Sequence, residues 1–136
     1  MIVSTTLENY DNPKDGTNGG KATKDEVFLL SILDMIDKDY GFSDSYYSFD
    51  ENRRCAPTTY AIARGVHIDS NDSNDGNESY NKTKDGENAC EWWLRSPGWL
   101  ASFAAAVDDY GVVGTSGGRV DYGHAIRPAL WLNLNP

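Results

Sequence analysis

The feature that most narrows the choice of fold is the way residues 92–134 are cut into short pieces. Trp92-Trp93-Leu94 is a compact aromatic run, Ser96-Pro97-Gly98 turns the chain, and the apolar pieces of 104–120 are punctuated by Gly111, Gly114, Gly117 and Gly118. Apolar runs this short, bounded by turn residues, belong to strands joined by tight hairpins. Residues 126–134 carry bulky apolar side chains in alternation, which suits a strand that closes a domain. A period of two predicts that Val107, Val112 and Val120 point inward while their polar neighbours point out.

The chain before this segment is less regular. Residues 9–23 are rich in Asn, Asp, Gly and Lys, turn formers that supply no core face, and read as a surface loop. Val27-Phe28-Leu29-Leu30 suits a buried strand over 26–30, followed by a helix near 31–38 with Ser31 and Asp34 at capping distance. A competing reading starts one longer helix at Thr23, with Glu26 completing a capping box. Pro57 and Gly65 bracket a short helix, because Pro fits a first turn and Gly the position just past a last one. Tyr60, Ala61 and Ile62 are expected to face the core. Residues 69–88 are almost wholly polar and read as a mobile surface loop.

At 136 residues one domain with one core is expected. The formal charge of −9 argues against a nucleic-acid partner, whose phosphates would be repelled. No apolar run approaches a membrane span, and MIVSTTLENYD lacks the basic and apolar regions of a signal peptide, so any secretion signal is expected outside this chain.

The familiar catalytic and metal-binding patterns are absent. His67 and His124 stand without GxSxG, HExxH or paired-carboxylate context. Cys55 and Cys90 lack a CxxC spacing, which removes zinc-ribbon and thioredoxin readings; a disulfide, two separate core residues and a nucleophilic thiol remain open. Calcium is suggested by Asn71, Ser73 and Asp75 followed by Gly76, but the twelfth position is Lys82 where an EF-hand needs an acid. No cofactor is therefore expected. Gly117-Gly118 has no phosphate-loop surroundings, and the sequons at Asn77 and Asn81 carry little weight in an Asn/Ser-rich stretch.

Between the two ends of the 92–134 segment lie Trp99, Ser102, Phe103, Asp108, Asp109, Tyr110, Ser116, Arg119, Asp121, Tyr122 and His124. Stiff aromatics supply contact area at low entropic cost and small polar residues adapt their hydrogen bonds, so this mixture is that of a ligand-binding surface. The plainer alternative is solvent-facing hairpin decoration, with Trp99, Phe103 and Tyr110 in the core.

EWWLRSPG at 91–98, Ala-Ala-x-Val with Gly-x-Val over 104–113, Gly118-x-Val120 and AIRPALWLNL at 125–134 together resemble an uncharacterised bacterial and phage domain family with a C-type lectin-like fold. Asn12-Pro13, Gly19-Gly20, Thr23, VFLLS at 27–31, Arg53 and PTTYA at 57–61 agree with it. The resemblance implies an α+β fold with a twisted antiparallel sheet, short helices and long irregular loops, shared with formylglycine-generating enzymes. It also implies that a preceding half of the family domain lies outside this chain. Trp92, Trp93, Arg95, Arg127, Pro128 and Trp131 are expected to be framework, the arginines ordering loops through carbonyls or acids.

Some proteins of this kind are variable products of diversity-generating retroelements, in which adenine-specific mutagenesis rewrites surface positions. Asp108, Asp109, Tyr110, Ser116, Asp121, Tyr122 and His124 are residue types reachable from an Asn codon by such changes. The resemblance thus points to a non-catalytic recognition domain for a protein or glycan ligand, at a bacterial surface, secreted, or on a virion. The absence of EPN or QPD tripeptides favours protein ligands. A cysteine-dependent oxidoreductase and a structural piece of a surface or virion protein are the alternatives.

Overall fold

Hairpins do dominate the C-terminal third. The computed structural model describes residues 1–68 and 81–135, and the largest sheet is formed by β5 (Trp92–Pro97), β6 (Phe103–Val107) and β7 (Val113–Arg119), antiparallel in that order. The strands before it are β1 (Ile2–Val3), β2 (Thr5–Leu7), β3 (Thr23–Asp25) and β4 (Phe28–Leu29), and after it come β8 (Pro128–Ala129) and β9 (Trp131–Leu132). These form three antiparallel pairs, β2 with β3, β4 with β8, and β1 with β9. The last two pairs bind the start of the chain to its end, with Ile2 opposite Leu132 and Phe28 opposite Ala129. Helix is scarce: one five-residue α-helix, α1 (Thr59–Ala63), and 3-10 turns at Asp34–Ile36, Lys38–Tyr40 and Glu51–Arg53. The described residues thus form small antiparallel sheets with few short helices, and none of the helices is long and apolar enough to cross a membrane.

The core lies on one side of the main sheet, where Trp92, Leu94, Ala105, Val107 and Val113 meet Ile32, Met35 and Cys90. Trp92 is fully buried, donates its indole N–H to the Arg53 carbonyl at 3.0 Å, and is covered by the Arg127 guanidinium 5.1 Å from its ring. The inward alternation holds for Val107 but slips by one in β7. Val113 is buried, Val112 only half-buried, and Val120 is 61 % exposed. The pairing of Val107 with Val113 sets the inward positions of β7 at Val113 and Thr115, which leaves Val112 and Val120 on the other parity. Farther along, the ladder shifts register between Ala104 and Ala106 near Gly117, whose φ of +71° and whose approach to the Ala104 carbonyl leave no room for a side chain. The turn expected at 96–98 falls later, because β5 runs on to Pro97 and the Gly98 amide donates to the Phe103 carbonyl at 2.8 Å. The strand expected over 126–134 is interrupted into β8 and β9.

Local hydrogen bonds overrule the helices read from the sequence. Ser31 and Asp34 do cap each other, but the helix expected over 31–38 breaks at Asp37, whose extended backbone and side-chain acceptance from the Asp39 amide start a second 3-10 turn. The longer helix from Thr23 is replaced by β3 pairing with β2. Strand 26–30 shrinks to β4. The helix after Pro57 forms, with Thr58 accepting from the Ala61 amide and Gly65 at φ +86°, yet Tyr60 and Ile62 are 74 % and 50 % exposed. One turn of helix reaches the core only through its neighbour Val66, with Ala61 half-buried.

Within the stretch read as a polar loop, residues 69–80 lie outside the described residues, as do the calcium pattern of Asn71 to Gly76 and the sequon at Asn77. Residues 81–88 form a closed turn, with the Thr83 amide donating to the Glu87 carbonyl and Ala89 to Asn81.

Two buried polar side chains hold the irregular first half. Arg53 is fully buried, and its guanidinium donates to the carbonyls of Met35, Ser43, Ser45, Gly111 and Ser48, with Asp50 at 3.4 Å. Asn12 donates to the carbonyls of Pro97 and Thr115 while its own oxygen accepts from the Lys14 and Asp15 amides. Each ties loops to the sheet where no strand pairing does.

Candidate recognition surface

The side of the main sheet away from the core has a floor of small residues. Ala106, Gly114 and Gly118 leave a cleft of about 270 Å3, walled by Glu91, Asp108, Tyr122 and His124. Hairpin register explains the floor: Ala106 faces Gly114 and Ala104 faces Gly118 across the β6–β7 ladder. A Cβ on Gly118 would come within 2.9 Å of His124 Nε2, so the wall depends on that glycine. His124 lies on the Trp93 ring at 4.1 Å between centroids, with Tyr122 edge-on at 6.1 Å. Its Nδ1 is 2.8 Å from Glu91 Oε2, an ion-pair distance without the alignment of a hydrogen bond. The imidazole beside it holds the Glu91 carboxyl below the usual carboxylate range, against the opposing effect of burial.

A second group gathers where β6 meets β7 at their far ends. Trp99 and Phe103 pack edge to face at 5.6 Å, the Trp99 amide donates to the Ser116 carbonyl, and Val120 donates to the Ser102 carbonyl. Phe103 is opposite Arg119 in the ladder, and Arg119 makes a two-pronged pair with Asp121 at 3.0 and 2.8 Å. Trp99, Ser102, Ser116, Arg119, Asp121 and Tyr122 are exposed. Trp99 and Phe103 are therefore outside the core.

The remaining residues of the sequence-based set separate from these. Asp109 is 6 % exposed and is withdrawn from any surface role. Tyr110 stacks on Phe49 at 5.6 Å, beyond the β6–β7 turn and apart from the other group. Asp108 lines the cleft but mainly closes that turn, accepting from the Tyr110 and Val112 amides; burial raises its pKa while those amides lower it. The turn itself needs Gly111 at φ +79°, packed against the Asp50 backbone.

Sequence reasoning did not anticipate a further concavity, beside the β4–β8 pair of the described residues. A groove of about 580 Å3 opens between the three two-stranded sheets, edged by Tyr10, Tyr40 and Trp131 with Phe28, Leu30 and Phe42 deeper. Tyr40 and Trp131 stand 6.1 Å apart at 56°. Arg95 lies in its floor, paired with Asp34 at 2.9 Å and donating to the carbonyls of Leu29 and Glu8. The framework role expected of Arg95 and Arg127 fits these contacts, Arg127 donating to the Arg53 carbonyl. No pattern in the sequence brings Tyr10, Tyr40 and Trp131 together, because β1, β4, β8 and β9 are two-residue strands that leave no periodicity.

The cysteines are free thiols in contact, Cys90 buried and Cys55 half-buried. Among the described residues no group of three or more His, Cys, Asp or Glu side chains is placed to hold a metal ion.

No curated protein and no solved structure matches the chain. One family profile does, that of a domain of unknown function, DUF6273, over residues 1–134, so the chain belongs to that family.

Proposed function

We propose that this protein is a non-catalytic recognition domain, built on a C-type lectin-like scaffold, that presents the outer side of the β6–β7 hairpin to a protein ligand. The observation that carries the reading is the division of labour within the hairpin. Val107, Val113 and Thr115 are buried on one side, whereas Ser102, Ser116, Arg119, Asp121 and Tyr122 reach solvent beside the small-floored cleft. Exposed side chains on a fixed backbone change with little cost to stability, typically within about 0.5 kcal/mol each. That is what a diversified surface requires, and a retroelement template repeat differing from the gene at adenines would be its genetic counterpart. The mixed aromatic and polar composition suits protein surfaces.

The reading is tested by displaying a library randomised at Ser102, Ser116, Arg119, Asp121 and Tyr122. Most members should fold, and selection on unrelated proteins should enrich binders that lose binding when Ser116 and Tyr122 are returned to the parental residues. Widespread unfolding of the library would sink the proposal. Binders that depend instead on Tyr40 and Trp131 would move recognition to the 580 Å3 groove.

A further inference from the structure

Cys55 and Cys90 are 35 positions apart in sequence, yet the Cys90 amide donates to the Cys55 carbonyl at 3.0 Å and the Cys90 thiol lies 3.5 Å from the same oxygen. The two sulfurs differ in access. Cys90 is closed off in the core beside Trp92, whereas Cys55 is half-buried and lines a cavity of about 380 Å3 with Glu51, Arg54, Thr83 and Lys84. They also differ in acidity. The neighbouring Cys90 side chain brings the Cys55 thiol down to about 7, with burial opposing and Arg127 assisting. Cys90 is pushed up, first by the neighbouring Cys55 side chain and then by burial. An accessible thiolate against a buried thiol is the arrangement that attacks a disulfide and then resolves the product.

We propose that Cys55 is a thiol-exchange site for low-molecular-weight disulfides, with Cys90 as the resolving thiol. The Cys55 thiolate attacks one sulfur of the small disulfide, whose S–S bond breaks; a mixed disulfide forms at Cys55 and one small thiolate leaves, taking a proton from water. Cys90 then gives its proton to water and attacks the Cys55 sulfur, which forms the Cys55–Cys90 bond and expels the second small thiolate. The protein dithiol loses two electrons and the small disulfide gains them, becoming two thiols. Excess small thiol runs the same steps backward. The bond would fasten the segment leading into α1 to the start of β5. The mixed charges of the cavity suit a small disulfide bearing both carboxylate and ammonium groups, such as glutathione disulfide.

The experiment treats the reduced, folded protein with glutathione disulfide and follows intact mass. The wild type should pass through a transient adduct to a product lighter by two hydrogen atoms, and Cys90→Ala should stop at the adduct, mapped to Cys55. Cys55→Ser should form neither. Iodoacetamide supplies a readout that needs no variant: one thiol, Cys55, should react at least about tenfold faster than Cys90, with a pH midpoint near 7. Equal alkylation of both thiols in the folded protein, an adduct that maps to Cys90, or a Cys90→Ala protein that folds and gains no adduct even at about pH 9, where Cys55 ionises without help from Cys90, would each overturn the proposal.

Discussion

Arg53 and Trp92 touch each other, and each organises a different part of the molecule by a different force. The loops over residues 35–50 have no strand pairing of their own and converge as carbonyl groups on the Arg53 guanidinium. The β5–β7 sheet has its ladder, and Trp92 contributes by burial against Ile32, Met35 and Val107. Burial is graded and tolerates an apolar substitute, whereas a charge satisfied by a set of carbonyls does not, since its removal strands every acceptor at once. The irregular half should therefore fail more abruptly than the sheet when its anchor is changed.

The largest effect is expected from Arg53→Met. The apolar stem is roughly retained, but the Met35 and Gly111 carbonyls lose their buried donor, and the cost should be about 3–5 kcal/mol in urea unfolding. A cost under about 1 kcal/mol would show that the loops hold without the guanidinium, and the contrast between the two regions would fall. A middle-sized effect tests the sheet. Gly117→Ala places a Cβ at 2.0 Å from the Ala104 carbonyl at a φ of +71° and should cost about 2 kcal/mol or more. Gly114→Ala, in the same strand, meets only the Ala106 carbonyl at 3.4 Å and should cost less than about 1 kcal/mol. Equal costs would mean that the β7 register does not depend on the Gly117 bulge.

The same contrast sets what a reader of the sequence can see. The β5–β7 hairpins are legible because burial on one face writes a period of two into 92–120, and glycines mark the turns. Which parity faces inward is not, because the Val107–Val113 pairing that buries Val113 and leaves Val120 exposed is set between strands. In the first half the ordering groups are Asn12 and Arg53, which reach backbone atoms far along the chain, and Asp50, which reaches the Ser43 amide, and backbone partners leave no pattern in side chains. The candidate surface divides in the same way. Ser116, Arg119 and Tyr122 stand where alternation and turn chemistry put them, whereas the burial of Asp109 and the pairing of Tyr110 with Phe49 depend on how the 35–50 loops fold over the β6–β7 turn.

The smallest effect concerns the cleft wall and is read from pH. Contact with His124 lowers the Glu91 carboxyl from its ordinary value of 4.5, so the unfolded chain binds the proton more readily than the folded one. Stability from this pair is then fully present above about 4.5 and is lost as pH falls through the lower folded value. Because Glu91 is about a third exposed, solvent screens the pair, and the contribution should stay below about 1 kcal/mol. Glu91→Gln should flatten the stability profile on the acid side of pH 4.5 relative to the wild type while leaving the Arg53 and Gly117 effects unchanged. An unchanged acid slope would mean that the Glu91–His124 contact does not hold the wall in solution, and that Trp93 stacking and the Gly118 approach position His124 by themselves.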